Sequence, residues 1–315
     1  MIYDVIGDIH GQADKLIGLL HQLGYVDNGQ FFVPPPNHQA IFIGDLIDRG
    51  QQEIQTLEIV FAMLDAGVAQ VLMGNHEYNA LAYATVDPRS IDPNNPDYLR
   101  PHNERNTSQH VAFLDEVKWG SDTHRYWLKR FYELPLWIEL ESACFVHACW
   151  DGEAMAVLKP LLTADNRMTE RGLQLTSYKG TPEYEALERV LKGVEVPLPH
   201  GLFFSDKEGT KRHKMRVKWW QSNLSHQPIH HIARASKSEL LHIPVDTLAD
   251  AIDFRLTTDK SVFVGHYWLT GMPAPLCEQV VCVDYSAAKD GHLTAYRFDS
   301  ENPTLSAENF VQYLG

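Results

Sequence analysis

The sequence predicts an α/β layered fold, on two observations. Apolar runs at residues 2–6, 40–43 and 68–73 each end at a glycine and read as buried strands. Between them, over 13–23 and 54–64, apolar residues recur at helical spacing. Strand, helix, strand, helix, strand in that order requires parallel strands joined by helical crossovers. In such sheets ligands sit beyond the carboxyl ends of the strands.

The rest of the chain extends this frame. Residues 86–106, rich in Pro, Asn and Asp, read as a long surface loop of the kind that often carries function. Residues 111–131 read as one helix ended before Pro135, and 136–140 and 143–146 as two strands joined at Glu141 and Ser142. From 151 to about 243 the pattern loses regularity and reads as an insertion or cap within one domain spanning 1–315. Strands at 261–264, 280–283 and 293–298 read as a second, partly antiparallel set.

Composition narrows the function classes. The formal charge of −14 repels phosphate backbones at long range and argues against a nucleic-acid polymer as partner. An anionic substrate then needs concentrated local positive charge, which bound metal ions supply. No run reaches the ~18 apolar residues of a membrane span, and the stretch MIYDVIGDIHG has no basic flank or long apolar run, so a signal peptide is not expected. Cys144, Cys149, Cys277 and Cys282 lack C-x-x-C spacing and read as buried thiols, so a cytoplasmic setting is expected.

Each early strand end carries chemistry: Asp8-Ile9-His10 after Gly7, Asp45-Leu46-Ile47-Asp48-Arg49 after Gly44, and Asn75-His76-Glu77 after Gly74. Two later strands end at His147 and at Gly265-His266. Singly, each group has an ordinary alternative, Asp45 and Asp48 as helix caps and His147 as a hydrogen-bonded core histidine. Together they bring carboxylate, imidazole and amide groups to one sheet edge, a donor set suited to Mn, Fe or Zn. Two metals ~3.5–4 Å apart can clamp the oxygens of a phosphoryl displacement.

The strings GDIHGQ, GDLIDRG and GNHE, with VHA at 146–148 and VGH at 264–266, resemble the signature of calcineurin-like metallophosphoesterases, above all the phosphoprotein phosphatase branch. That resemblance implies a four-layer α/β/β/α sandwich with a cap-like insertion. It implies two metal ions, manganese first and iron or zinc as alternatives, with Asp8, His10 and Asp45 on one and Asp45, Asn75, His147 and His266 on the other. The nucleophile would be a hydroxide bridging the metals. His76 would protonate the leaving oxygen, paired with Asp48; Arg49, Asn75 and Arg216 would hold the phosphate. Arg212 shares the basic segment 209–220 with Arg216, whose plain alternative is a solvated hairpin.

The implied function is phosphomonoester hydrolysis of the protein serine/threonine (or tyrosine) phosphatase type, on a phosphorylated protein or a small phosphate ester. Symmetrical dinucleoside tetraphosphatases resemble the chain in His147-Ala148 and Gly265-His266-Tyr267, which makes a dinucleoside polyphosphate hydrolase the alternative. They usually carry GNHD and lack the acid at Asp48. Trp150, Trp219 and Trp220 are candidates to stack a base, and Asp151 either meets substrate or caps a helix. His226, His230 and His231 read as a loop, since Pro228 interrupts them. A non-catalytic scaffold is the reading of another class; Asp48, His76 and Arg49 together argue against it.

Overall fold

The computed structural model describes residues 1–205, 211–236 and 238–315, so residues 206–210, with Gly209 and Thr210 of the basic segment, and residue 237 lie outside the described residues. Two sheets pack face to face. In the first, strand Ile2–Ile6 runs parallel to His38–Phe42, which runs parallel to Ala69–Val71. Helices Ala13–Leu23 and Glu53–Asp65 make the crossovers. The second sheet has the order Val280–Cys282, Ser261–Val264, Ala143–Val146, Trp137–Glu139; its first three strands are parallel and the last antiparallel.

Alternation along the strands builds the layers, because successive side chains point to opposite faces. Val5, Ile41, Phe145, Phe263, Val281 and Phe298 fill the space between the sheets. Phe263 bridges it, with its ring 5.2 Å from Phe145 and 5.0 Å from Phe298. Ile6, Phe42, Val146 and Val264 face the other way, into the helix-side core. Ala143–Val146, Ser261–Val264 and Val280–Cys282 are thus buried on both faces, as are the inner ends of Ile2–Ile6 and His38–Phe42, which is why they read as continuous apolar runs.

Two expectations need correction. The helix expected over 111–131 is two helices, Glu104–Val117 and Asp122–Phe131. Lys118 and Gly120 take left-handed φ of 63° and 70°, and the Ser121 hydroxyl then accepts from His124 N at 3.0 Å as a new N-cap. The three late strands are not one set. Ser261–Val264 and Val280–Cys282 join the second sheet, whereas His292–Asp299 crosses to the first and pairs antiparallel with Ile2–Ile6.

The irregular stretch begins as helices Gly152–Leu158, Glu170–Thr176 and Pro182–Lys192. Short hairpins follow, pairing Glu195–Pro197 with Lys214–Arg216 and Phe204–Ser205 with Lys211–Arg212. It leaves the second sheet after Val146 and returns at Ser261, whose strand neighbours Ala143–Val146. Among the described residues no helix is long and apolar enough to cross a membrane.

Candidate metal centre and active-site cleft

The strand ends converge as their order demands. Asp8 and His10 follow Ile2–Ile6, Asp45 follows His38–Phe42, and Asn75 opens helix Asn75–Ala84 just beyond Ala69–Val71. His147 and His266 follow neighbouring strands of the second sheet. The glycines before them serve two purposes. Gly44 takes φ +91°, which favours glycine, while a Cβ on Gly74 would lie 2.2 Å from Asp45 N. The left-handed turn is therefore at Gly44, and Gly74 is small so that two loops can touch.

Glu77 locks that contact. Its Oε2 accepts from Gly74 N and Asp45 N, both at 2.9 Å, and its Oε1 from Leu46 N at 2.8 Å and Ile47 N at 3.3 Å. Burial, with the Asp45 charge next, pushes the Glu77 carboxyl up to about 7. Six of the twelve non-glycine residues with positive φ among the described residues lie here: His10, Asp45, Asp48, Arg49, His266 and Trp268. Backbone of this kind costs about 1–3 kcal/mol per residue and gathers where function holds it.

Asp45 stands at the middle. Its Oδ2 lies 3.3 Å from His147 Nε2, 3.7 Å from His10 Nε2 and 3.9 Å from His76 Nε2. Ligand-type atoms of His10, Asp45 and His76 fall within 4.8 Å of one another, as do those of Asp45, His147 and His266. One carboxylate belongs to both groups. Asn75 Oδ1 is 3.3 Å from His147 Nε2, while both oxygens of Asp8 accept from His266 N, at 3.0 and 3.2 Å.

Whether these residues suit metals can be read from their unmet needs. His10 and His147 donate Nδ1–H to the carbonyls of Ile47 (2.9 Å) and Ile43 (2.7 Å), which turns both Nε2 atoms inward. His10 Nε2 and both ring nitrogens of His266 are buried without a hydrogen-bond partner. Burial, then the neighbouring His76, pushes His10 down to about 3; burial, then Arg216, pushes His266 well down. Both are neutral imidazoles, the form that binds a metal. Burial raises Asp8 well above its usual value, with Asp284 and Asp45 adding repulsion. Buried carboxylates that repel one another beside unpaired imidazole nitrogens fit cations.

Beside this cluster, His76 Nδ1 meets Asp48 Oδ2 at 2.6 Å. Burial alone would lower the His76 pKa, but the Asp45 and Asp48 carboxylates outweigh it and the net shift is upward. Asp48 has a second partner invisible in the sequence, His110, whose Nδ1 lies 2.9 Å from Oδ1. Burial would raise Asp48, yet His110 and His76 hold it well below the carboxylate range. Glu53 Oε2 fixes the Asp48 backbone N–H at 2.7 Å.

These groups open into a cleft of about 810 Å³ that is lined by ten lysines and arginines against four carboxylates. The chain's acid surplus is thus inverted where an anion would bind. Arg49 lies with its guanidinium 4.6 Å from the centre of the Trp268 ring, which the sequence reading did not single out. Arg216 lines the cleft, half-buried, with its Nε 3.5 Å from Glu195 Oε1 across the hairpin. Arg234, also unforeseen, donates its N–H to the Tyr267 carbonyl and lines the same wall. Arg212 is there too.

Other candidates go elsewhere. Trp219 is buried, with its indole N–H on Tyr267 Oη (2.7 Å) and the Ala148 carbonyl (3.1 Å). Trp150 is buried as well, and neither it nor Trp220 lines the cleft. The aromatic side chains that do line it are Tyr78, Tyr184, Phe204 and Trp268. Asp151 caps helix Gly152–Leu158 through Glu153 N and Ala154 N and pairs with Arg189 at 2.9 Å. His230 Nε2 meets the Ile243 carbonyl at 2.8 Å, an ordinary structural role.

Known proteins carry the same module. Residues 1–142 match the model of the calcineurin-like phosphoesterase family. An asymmetrical bis(5'-nucleosyl)-tetraphosphatase from Anoxybacillus flavithermus is 40% identical over 76 residues, 24% of this chain and 31% of the relative. Its counterpart from Oceanobacillus iheyensis is 27% identical over 142 residues, 45% of this chain and 53% of the relative. The chain therefore spans about half the length of these relatives, or less. A protein serine/threonine phosphatase structure from Saccharomyces cerevisiae superposes with TM-score 0.50 and 14% identity, over 100% of this chain and 80% of that one, a likeness of fold alone. The match covers residues 1–142, so it is the N-terminal part of the chain, with Asp8, His10, Asp45, Asp48, Arg49, Asn75 and His76, that is similar to the calcineurin-like phosphoesterases.

Proposed function

We propose that the chain is a dimetal-dependent phosphoesterase that hydrolyses phosphomonoesters with the chemistry of the phosphoprotein phosphatase branch. The observation that carries this reading is the buried Asp48–His76 pair beside the Asp45-centred cluster. An alkoxide is a poor leaving group and needs a proton as the bond to phosphorus breaks. A histidine whose pKa is raised by two carboxylates is a group that can give one.

Asp8, His10 and Asp45 would hold one metal, and Asp45, Asn75, His147 and His266 the other. When bound, the pair would polarise the phosphoryl group and lower the pKa of water at the site. Arg49, on its Trp268 platform, would grip the phosphoryl oxygens with its planar fork of donors, with Arg216 and Asn75 beside it. His76 would deliver its proton from Nε2, since Asp48 occupies Nδ1. Removing the platform should show in binding: Trp268→Ala forfeits a cation–π contact of about 0.5–2 kcal/mol and raises KM for an aryl phosphate roughly two- to thirtyfold. An unchanged KM would mean that Arg49 is oriented by something else.

The inserted hairpins wall the cleft, and its volume is that of a small-molecule site. A small phosphate ester, or a single phosphorylated side chain, therefore suits it better than a broad protein surface. A dinucleoside polyphosphate is the second reading, favoured by the cationic walls and by the Trp268 ring among the lining residues. Buried free thiols at Cys144, Cys149 and Cys282 suit a reducing cytoplasm. Hydrolysis rates with manganese on an aryl phosphate, phosphopeptides and diadenosine tetraphosphate separate the readings. Turnover of the monoesters is expected. A preference of about tenfold or more for the dinucleotide, 1.4 kcal/mol in transition-state binding, would install the second reading. No turnover at all would leave a binding scaffold.

A further inference from the structure

Arg100 is a cleft residue that the chemistry above leaves unused. It lies at the end of the Pro-, Asn- and Asp-rich loop, half-buried, with its backbone N–H on the Ala82 carbonyl at 3.0 Å. Its guanidinium donates to Asn79 Oδ1 at 3.1 Å and to Gln109 Oε1 at 2.9 Å. Both acceptors are neutral amides, and among the described residues no ion pair includes Arg100. The Asp48 and Glu188 carboxylates attract it without pairing with it, and a guanidinium has five N–H donors, so several remain to offer. Arg100, Asn79, Gln109 and the exposed Arg105 all line the cleft.

Its position is set by the helix that carries Asn75 and His76. Asn79 stands four residues after Asn75, about 6 Å further along the axis. Arg100, bonded to Asn79, is therefore held roughly one turn from Asn75 and beside the helix face that His76 shares with Asn79 at i, i+3.

We propose that Arg100 forms a second anion subsite, which takes a second phosphate group of the same substrate on its leaving-group side. The proposal rests on the phosphoesterase reading of the cleft and names its substrate class: molecules with two phosphates a helical turn or less apart. A bisphosphorylated small molecule and a polyphosphate chain both offer that chemistry. A purely structural Arg100, tying helix Asn75–Ala84 to helix Glu104–Val117, would weaken hydrolysis of every substrate alike.

The test compares kcat/KM for an aryl phosphate, a hexose bisphosphate and inorganic tripolyphosphate in the manganese-loaded chain, Arg100→Gln and Arg100→Lys. In Arg100→Gln the ratio of a doubly phosphorylated substrate to the aryl phosphate should fall about tenfold or more, the usual cost of one charged hydrogen bond. Arg100→Lys, which keeps the charge, should retain part of it. The substrate whose ratio falls identifies the source of the second phosphate. Equal losses on all three substrates, or an unchanged ratio, would overturn the subsite. Binding of inorganic pyrophosphate by calorimetry reads the same contact without turnover. A dissociation constant in Arg100→Gln equal to that of the unmodified chain sinks the subsite even if nothing is hydrolysed, whereas weakened binding without hydrolysis sinks only the phosphoesterase reading. Should Arg100→Gln fail to fold, Arg100→Lys carries both comparisons.

Discussion

Asp45→Asn should cost about a thousandfold or more in turnover and should abolish the stabilisation of the fold by manganese, since metals supply several kcal/mol to such reactions. The substitution is nearly isosteric, and asparagine tolerates the left-handed backbone that Asp45 adopts at φ 50°. The Asn Oδ1 can still accept from His76 N, at 2.9 Å in the parent. What disappears is the charge at Oδ2, toward which His147, His10 and His76 all point.

That loss separates the metal-free protein from the loaded one. Asp45 raises the pKa of both Asp8 and Glu77 by repulsion, so its neutralisation relieves strain among buried carboxylates. Yet, although burial would raise it, His147, His76 and His10 hold the Asp45 carboxyl well below its usual range, so without metal the variant should melt somewhat lower than the parent. With manganese at a hundred times its dissociation constant the parent gains about 2.7 kcal/mol, and the variant should gain little. Thermal melts with and without manganese, together with metal content after gel filtration, read this directly. An undiminished manganese shift would remove Asp45 from the shared position.

The site's skeleton was legible because its grammar is local. Asp8, His10, Asp45 and Asn75 each follow an apolar strand and a glycine within a few residues, and parallel pairing brings such ends to one edge. What escaped depends on contacts far apart in sequence. His110 reaches Asp48 across 62 positions from an amphipathic helix whose pattern gives no hint of it. Trp268 and Asp284 depend on a turn in which Asp284 Oδ2 accepts from Trp268 N at 2.6 Å. The strand His292–Asp299 was visible, but its partner Ile2–Ile6 lies at the other end of the chain, and alternation cannot name a partner. Trp150 and Trp219 were misplaced for a related reason: large aromatics are usually core, and these two are.

His76→Asn should leave metal content intact and slow turnover in proportion to how badly the leaving group needs a proton. Asparagine keeps the backbone N–H that meets Asp45 Oδ1, so the loop joining Asn75 to Asp45 should survive. It cannot give up a proton. General acid catalysis is worth about 10²–10⁴-fold, and the upper part of that range should appear with alkyl phosphates such as phosphoserine. With an aryl phosphate, whose leaving group is far less basic, the loss should be smaller. The comparison matters because His76 Nε2 also lies within the group formed with His10 and Asp45, and proximity alone would suit a ligand. A ligand role predicts loss of manganese and an equal slowing of both substrates. An acid role predicts retained manganese and a slope against leaving-group basicity. Asp48, with one oxygen on His76 and the other on His110, favours the acid, because it fixes Nδ1 and keeps the proton on the ring that a leaving oxygen would need.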